Sequence, residues 1–360
     1  MYSRKSTTLR LSPGDCALVS GRGHLVLERG TVEVLGAPFV SGSTIGIRPG
    51  KRFPVYAPDD HTSINARGTF AVTVVRDDPV PDSWRGLPDL FLTKTAPKVA
   101  VLGATDSGKS SLTTYLANTS LNFSSRLGIV DGDPGQGDIG PPTCVSGAIA
   151  KSKLIDLREL LPLFTSFVGV TSPSTCPGEC IHAVSDVASR VLGAGADYFL
   201  LNTDGWIEDG GIEHKVQLLE AMRPDLIVLL GTGEESDALQ RRTAAKVVSA
   251  EVPRHVLTRT PSARYRMRVS NLLRHLRHVE RLRLNPDLIP YPDKREPGTL
   301  IALKDRGNFR SLGVLDAVDP SGGVWAYCGT DSFDELVFGE VSMPEVLARL
   351  RARSSRDLTR

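Results

Sequence analysis

The residues that most constrain this chain are Gly103-Ala104-Thr105-Asp106-Ser107-Gly108-Lys109-Ser110, which fill the pattern G-x-x-x-x-G-K-[ST]. The apolar run Val99 to Leu102 precedes them, and Ser111 to Ala117 follows with helical spacing. A strand, a glycine-rich turn and a helix in that order form a phosphate cradle. Gly103 and Gly108 let the backbone curl so that successive N–H groups and the helix N-terminus face an anion. Lys109 reaches the β- and γ-oxygens, and Ser110 supplies a ligand to Mg²⁺. Ala104, Thr105, Asp106, Ser107 and Ser111 complete the loop expected to contact a nucleoside triphosphate. No Asn-Lys-x-Asp tetrapeptide and no Leu-Ser-Gly-Gly-Gln signature follows, which weakens the GTPase and transporter-ATPase readings.

The remainder of the sequence is arranged around that loop as an α/β protein. Residues 1–76 carry short alternating runs (Cys16 to Val19, His24 to Glu28, Thr31 to Leu35, Arg52 to Tyr56, Thr69 to Val75) between Gly and Pro turns, which predicts an N-terminal β-sandwich-like domain. Residues 77–96 concentrate Asp and Pro and read as a linker. Residues 97–290 alternate strand-like and helical stretches, with strands predicted at Lys98 to Gly103, Leu127 to Asp131, Asp197 to Asn202, Asp225 to Gly231 and His255 to Thr258. That pattern predicts a central P-loop NTPase domain with a parallel sheet and crossover helices. Residues 291–360 return to β-type runs (Leu300 to Leu303, Gly313 to Val318, Gly323 to Tyr327, Asp334 to Phe338), a small C-terminal β-rich domain.

Composition narrows the partners. Forty-three Lys plus Arg against 41 Asp plus Glu leave a formal charge of +2, so no overall field advertises a polyanion. The average hides a patch: nine arginines lie between Glu251 and Leu284, against two glutamates. No apolar run approaches the roughly 20 residues of a bilayer span, which argues against a membrane protein. The basic, Ser/Thr-rich start has no apolar core of a secretion signal. Five scattered cysteines make no disulfide framework, so an intracellular, reducing setting is expected, cytoplasmic, or nuclear in a eukaryote. Cys176, Cys180 and His182 fall short of a tetrahedral zinc set.

The second predicted strand ends in Asp131-Gly132-Asp133-Pro134-Gly135-Gln136. Ligands of α/β sheets sit beyond the carboxyl ends of the strands, which places this turn beside the phosphate loop. Asp131 and Asp133 are suited to hold hydrated Mg²⁺, Asp133 to take the proton of an attacking hydroxyl, and Gln136 to orient metal water or acceptor.

With the loop and this turn, Thr203-Asp204-Gly205-Trp206 and the pair Arg264-x-x-x-Arg268 complete a set that resembles the polynucleotide 5′-hydroxyl kinase family. That family comprises archaeal RNA kinases and eukaryotic kinases of tRNA splicing, pre-mRNA 3′-end cleavage and rRNA processing. The resemblance implies the three-part architecture and ATP as phosphate donor. It also implies RNA 5′-hydroxyl ends, single- or double-stranded, as acceptor, with DNA as an open alternative. Protein partners in RNA processing are implied as well. It implies further that Thr203, Gly205 and Trp206 clasp the terminal nucleotide with Gln136, and that Thr171, in Gly169-Val170-Thr171-Ser172-Pro173, lies near the acceptor. Arg264 and Arg268 would close over the moving phosphoryl group as a lid. Asp15, where a longer acid is expected, and Arg52 fall where the family touches the adenine nucleotide. On the residues alone, Trp206 also fits a packed loop. Arg274, Arg277 and Arg281 fit either a solvated helix face or a track for RNA phosphates. A non-catalytic ATP-bound scaffold and a small-molecule kinase remain the rivals.

Overall fold

The computed structural model describes residues 6–59, 61–91, 98–122, 126–231, 233–285, 296–319 and 323–357. Its N-terminal strands are β1 (Ser6–Leu11), β2 (Cys16–Arg29), β3 (Thr31–Val34), β4 (Ala37–Val40), β5 (Thr44–Ile47), β6 (Arg52–Tyr56) and β7 (Thr62–Val75). They pair antiparallel in the order β1-β7-β2-β6-β3-β4, with β5 also on β2. Along one side of β2, Cys16–Ser20 pair with β6 and Gly23–Val26 with β5, while β7 runs along the other side. The crossover falls at Gly21 and Gly23, where a Cβ would sit 2.1 and 2.2 Å from opposing carbonyl oxygens. No other residue fits so close an approach of two backbones.

The stretch expected as a linker does more than connect. It carries α1 (Asp82–Arg85) and α2 (Leu87–Phe91), while its last residues, 92–96, lie outside the described residues. Trp84 is fully buried, 5.9 Å from the Tyr115 ring, and its Nε1 donates to the Glu251 carbonyl. The indole therefore fastens this segment to the central domain by both an apolar face and a polar handle.

The central domain follows as β8 (Lys98–Gly103), α3 (Lys109–Ser120), β9 (Leu127–Gly132), β10 (Cys144–Ala150), β11 (Phe164–Phe167), α4 (Pro177–Gly193), β12 (Tyr198–Thr203), α5 (Gly211–Met222), β13 (Leu226–Leu230), α6 (Gly233–Gln240), β14 (Lys246–Ala250) and α7 (Pro261–His275). The sheet order is β11-β10-β9-β12-β8-β13-β14. Five neighbouring strands are parallel, but β10 runs antiparallel to both β9 and β11, so the sheet is mixed rather than parallel throughout. The strand predicted at His255–Thr258 is instead an irregular segment, and the sheet edge is Lys246–Ala250.

Period-two alternation decides which core each side chain enters. Val99, Val101, Leu200, Leu226 and Val228 face one continuous core shared with α3 and the N-terminal sheet. Ala100, Leu102, Phe199, Leu201, Ile227 and Leu229 face the other layer, against α4 and α5. Because both faces are covered, these strands read as nearly unbroken apolar runs.

The third sheet is β15-β18-β17-β16-β19, formed by β15 (Glu280–Leu284), β16 (Thr299–Asp305), β17 (Asn308–Val318), β18 (Val324–Cys328) and β19 (Glu335–Ser342), all antiparallel. The boundary expected at 290 lies outside the described residues, yet β15 precedes it and already belongs to this sheet. Helix α8 (Pro344–Asp357) and α7 share a core with the sheet through Val269, Leu272, Val346 and Leu350. The basic helix is thus anchored on the C-terminal unit while its N-terminal half lies over the phosphate loop.

Candidate active site

The phosphate loop runs from the end of β8 into α3. Gly108 is left-handed (φ 98°), and a Cβ there would meet Pro253 at 3.1 Å. A Cβ on Gly103 would approach the Leu230 carbonyl oxygen to 2.7 Å. Both glycines are therefore required by the cradle itself. Lys109 is 8% exposed, and its Nζ donates to the carbonyls of Gly103 and Ala104 at 2.9 and 2.7 Å. Burial pulls this ammonium down to about 8, against the opposing pull of the Asp133 carboxylate. The side chain is folded back onto the loop carbonyls.

Asp133 lies just beyond β9 and lines the same cavity. Its Oδ1 accepts from the amides of Gly135 and Gln136 at 2.8 and 2.9 Å. Burial and the nearby Asp204 raise its pKa, against the opposing pull of the Gln136 amide and the Lys109 ammonium. Asp131 differs. It is the penultimate residue of β9, 2% exposed, and does not line the cavity. Its Oδ2 accepts from the Asp138 amide at 2.5 Å and its Oδ1 from Asn202 Nδ2 at 3.1 Å. Burial, with the Asp138 charge, pushes it to about 7. Asp131 therefore holds the turn and does not reach a metal from this position, contrary to the sequence expectation.

Two further close contacts join neighbouring loops. A Cβ on Gly205 would stand 2.7 Å from the Thr105 amide nitrogen, and Thr105 Oγ1 donates to the Gly205 carbonyl. A Cβ on Gly135 would meet the Thr171 carbonyl oxygen at 2.4 Å. These glycines let the Trp206 loop abut the phosphate loop, and the Thr171 loop abut the acidic turn. Thr203 lines the cavity and donates to the Val101 carbonyl. Trp206 is half-buried, 5.3 Å from the His214 ring, and its amide donates to Asp204 Oδ1 at 2.9 Å. Asp204 in turn pairs with Lys215, and both are almost wholly buried.

The two lid arginines part company. Arg264 Nη1 pairs with Asp106 Oδ2 at 3.1 Å, beside Arg259 Nη1 on Oδ1 at 2.7 Å, so helix α7 is fastened to the phosphate loop itself. Arg268, one turn on, is half-buried and feels the Asp133 carboxylate. Of the adenine-side residues, Arg52 lines the cavity, whereas Asp15 does not; its Oδ2 accepts from the Ser12 amide in a local turn. Arg281 is turned away onto Asp316 and over Trp325, so it does not share a face with Arg274 and Arg277.

Several cavity residues carry no local signal. Lys51 Nζ bridges Asp138 at 2.6 Å and Asp156 at 3.0 Å, joining chain positions more than 80 residues apart. Leu18, Pro54, Val80, Val252, Pro253, Val256 and Leu257 are the apolar part of the lining of this cavity, of about 380 Å³. Its polar end is built for a ligand: Ser107 Oγ and Gln136 Oε1 are buried with no partner among the described residues. A partly apolar cavity joined to a phosphate cradle fits a nucleoside triphosphate, and Ser110 and Asp133 there are the oxygen donors suited to Mg²⁺.

Fold and site define a P-loop nucleotide-binding protein whose cradle opens on an acidic turn and an aromatic loop. Residues 103–278 match the family described as mRNA cleavage and polyadenylation factor CLP1 P-loop. A polyribonucleotide 5′-hydroxyl-kinase of Pyrococcus furiosus is 36% identical over 178 residues, which cover 49% of each chain. The corresponding kinase of Methanocaldococcus jannaschii is 33% identical over 150 residues, 42% of this chain and 41% of that protein. The chain thus spans about half the length of these archaeal relatives. A CLP1 homolog of Nematostella vectensis is 26% identical over 295 residues, 74% of this chain and 67% of the other. The solved structure of a Clp1p–Pcf11p complex shares the fold across 94% of this chain and 98% of that one, with a TM-score of 0.77 at 11% identity.

Proposed function

We propose that this chain is an ATP-dependent polynucleotide 5′-hydroxyl kinase acting on RNA ends in RNA processing. The observation that carries the reading is the packing of loops around one cavity. The phosphate loop and the Asp133 turn line it, the Trp206 loop abuts the phosphate loop through Gly205, and the Thr171 loop abuts the Asp133 turn through Gly135, positions at which no side chain fits. Lys109 would neutralise the γ-phosphoryl oxygens, and Arg268 would add charge from the acceptor side. Asp133 would accept the 5′-hydroxyl proton. Trp206 offers a flat face to the terminal base, a contact that stacking makes tolerant of sequence. Ser110 and Asp133 would hold Mg²⁺, which when bound neutralises charge developing on the β- and γ-oxygens. Catalysis of this kind is positioning plus electrostatics and needs no covalent intermediate with the protein.

The test is label transfer from ATP or GTP to matched 5′-hydroxyl RNA and DNA oligonucleotides, single- and double-stranded. Transfer to RNA supports the reading. Tightly held ATP that reaches no acceptor would favour the scaffold, and phosphorylation of a nucleoside alone would favour the small-molecule kinase.

A further inference from the structure

A second cleft, of about 770 Å³, lies against the first, and Gln136, Asp138 and Met267 line both. Its walls come from the β5–β6 connection, the β9–β10 connection, the segment 158–162 and the outer face of α7. Seven arginines line it, against one aspartate and one glutamate. Part of that charge is scaffolding. Arg158 is paired with Asp156, and Arg274 donates to the carbonyls of Arg158 and Asp138 at 2.9 and 2.8 Å, stapling α7 to both loops. Burial, with repulsion from Arg158 and Arg48, pulls Arg274 down to about 10. Arg48 also donates to the Arg158 carbonyl and Arg349 pairs with Glu345, but among the described residues Arg22, Arg48, Arg268 and Arg277 meet no carboxylate in an ion pair, and all four line the cleft. A concave surface with such an excess of one sign attracts the opposite charge.

We infer that this cleft holds the phosphodiester backbone of the acceptor strand downstream of its reacting 5′ end. The inference rests on the kinase reading above and adds a path to it. A strand whose terminal hydroxyl is at Asp133 passes Gln136 and Arg268 and enters the cleft, lined by Arg22 and Arg48 from the N-terminal domain and by Arg277 from the turn after α7. A single small anion would need one pair of these cations. Cations contributed from separate walls, continuous with the reaction centre, suit several successive phosphates. The N-terminal domain thereby becomes part of the acceptor site as well as a wall of the nucleotide cavity.

The measurement is KM and kcat for 5′-hydroxyl RNA of two and of ten nucleotides, in the intact chain and in the double variant Arg22→Glu, Arg277→Glu. Both side chains are exposed, so the fold should tolerate the change. In the parent protein KM should fall about tenfold or more from the short to the long acceptor, and the variant should lose that gain while keeping its dinucleotide KM and kcat. The salt slope of decanucleotide binding should flatten by about 0.7 for each phosphate that the variant no longer neutralises. A variant that keeps the full length dependence would overturn the cleft assignment and leave the kinase standing; it would assign the arginines to an acidic protein surface instead. Failure of the parent to phosphorylate either oligonucleotide would overturn the kinase reading on which the inference rests.

Discussion

Lys215→Met isolates the buried pair beneath the Trp206 loop. Lys215 and Asp204 are 1% and 2% exposed, and the same Asp204 carboxylate receives the Trp206 amide. Burial alone would raise Asp204, but the Lys215 ammonium, with hydrogen bonds from His214, Lys215 and Trp206, holds it well below the usual carboxylate range. Removing the ammonium leaves a carboxylate in a dry site, which costs roughly 3–5 kcal/mol at pH 7. The double variant Lys215→Met, Asp204→Asn should recover much of this, because Asn keeps an acceptor for the Trp206 amide without an unpaired charge. The sign with pH should invert. In the parent, the stability from Asp204 is present above its unfolded value of about 3.9 and is lost as pH falls toward its lower native value. In Lys215→Met the carboxyl is raised when folded, so stability should increase as pH falls from 7 to 5. Urea unfolding followed by tryptophan fluorescence at both pH values measures each quantity. A loss below about 1 kcal/mol, or a double variant no better than the single one, would refute the assignment of the pair as a stabilising, charge-matched unit.

Gly205→Ala should disrupt the phosphate loop through Thr105, weakening ATP binding by tenfold or more, an effect of about 1.4 kcal/mol or above, as read by calorimetry. Trp84→Ala removes a fully buried indole that ties two domains together and should cost about 3–5 kcal/mol in denaturant unfolding. The Lys109 ammonium is favoured below about 8, so ATP affinity should decline as pH rises through that value, and Lys109→Met should bind weakly with no such decline. Asp133→Asn should lower kcat by about 10²–10⁴, since it removes the proton acceptor, and should raise the Mg²⁺ concentration needed for half-maximal rate, since it also removes a proposed metal ligand.

What could be read from the sequence was what local physics controls. The phosphate loop is contiguous, and its glycines are demanded by backbone geometry, so Gly103 to Ser110 appear in the structure as the spacing implied. Strands β8, β9, β12 and β13 are apolar because both sheet faces are covered. The edge strand Lys246–Ala250 is half-exposed and mixed in character, whereas Val256 and Leu257 are apolar and line the cavity, and periodicity cannot tell these apart. Asp131 and Asp133 look equivalent in the sequence. One is still in the strand and spends its oxygens on Asp138 and Asn202, while the other lies past the strand end and faces the cavity. The Lys51 bridge and the separation of Arg264 from Arg268 depend on partners far away in the chain, which no local pattern encodes.

Transfer of the terminal phosphate of labelled ATP to a 5′-hydroxyl RNA oligonucleotide, compared between the parent chain and Lys109→Ala, addresses the central claim most directly. The expected result is a 5′-phosphorylated RNA from the parent and none from the variant. Equal labelling by both, or stoichiometric ATP that never leaves the parent protein for RNA, would contradict it.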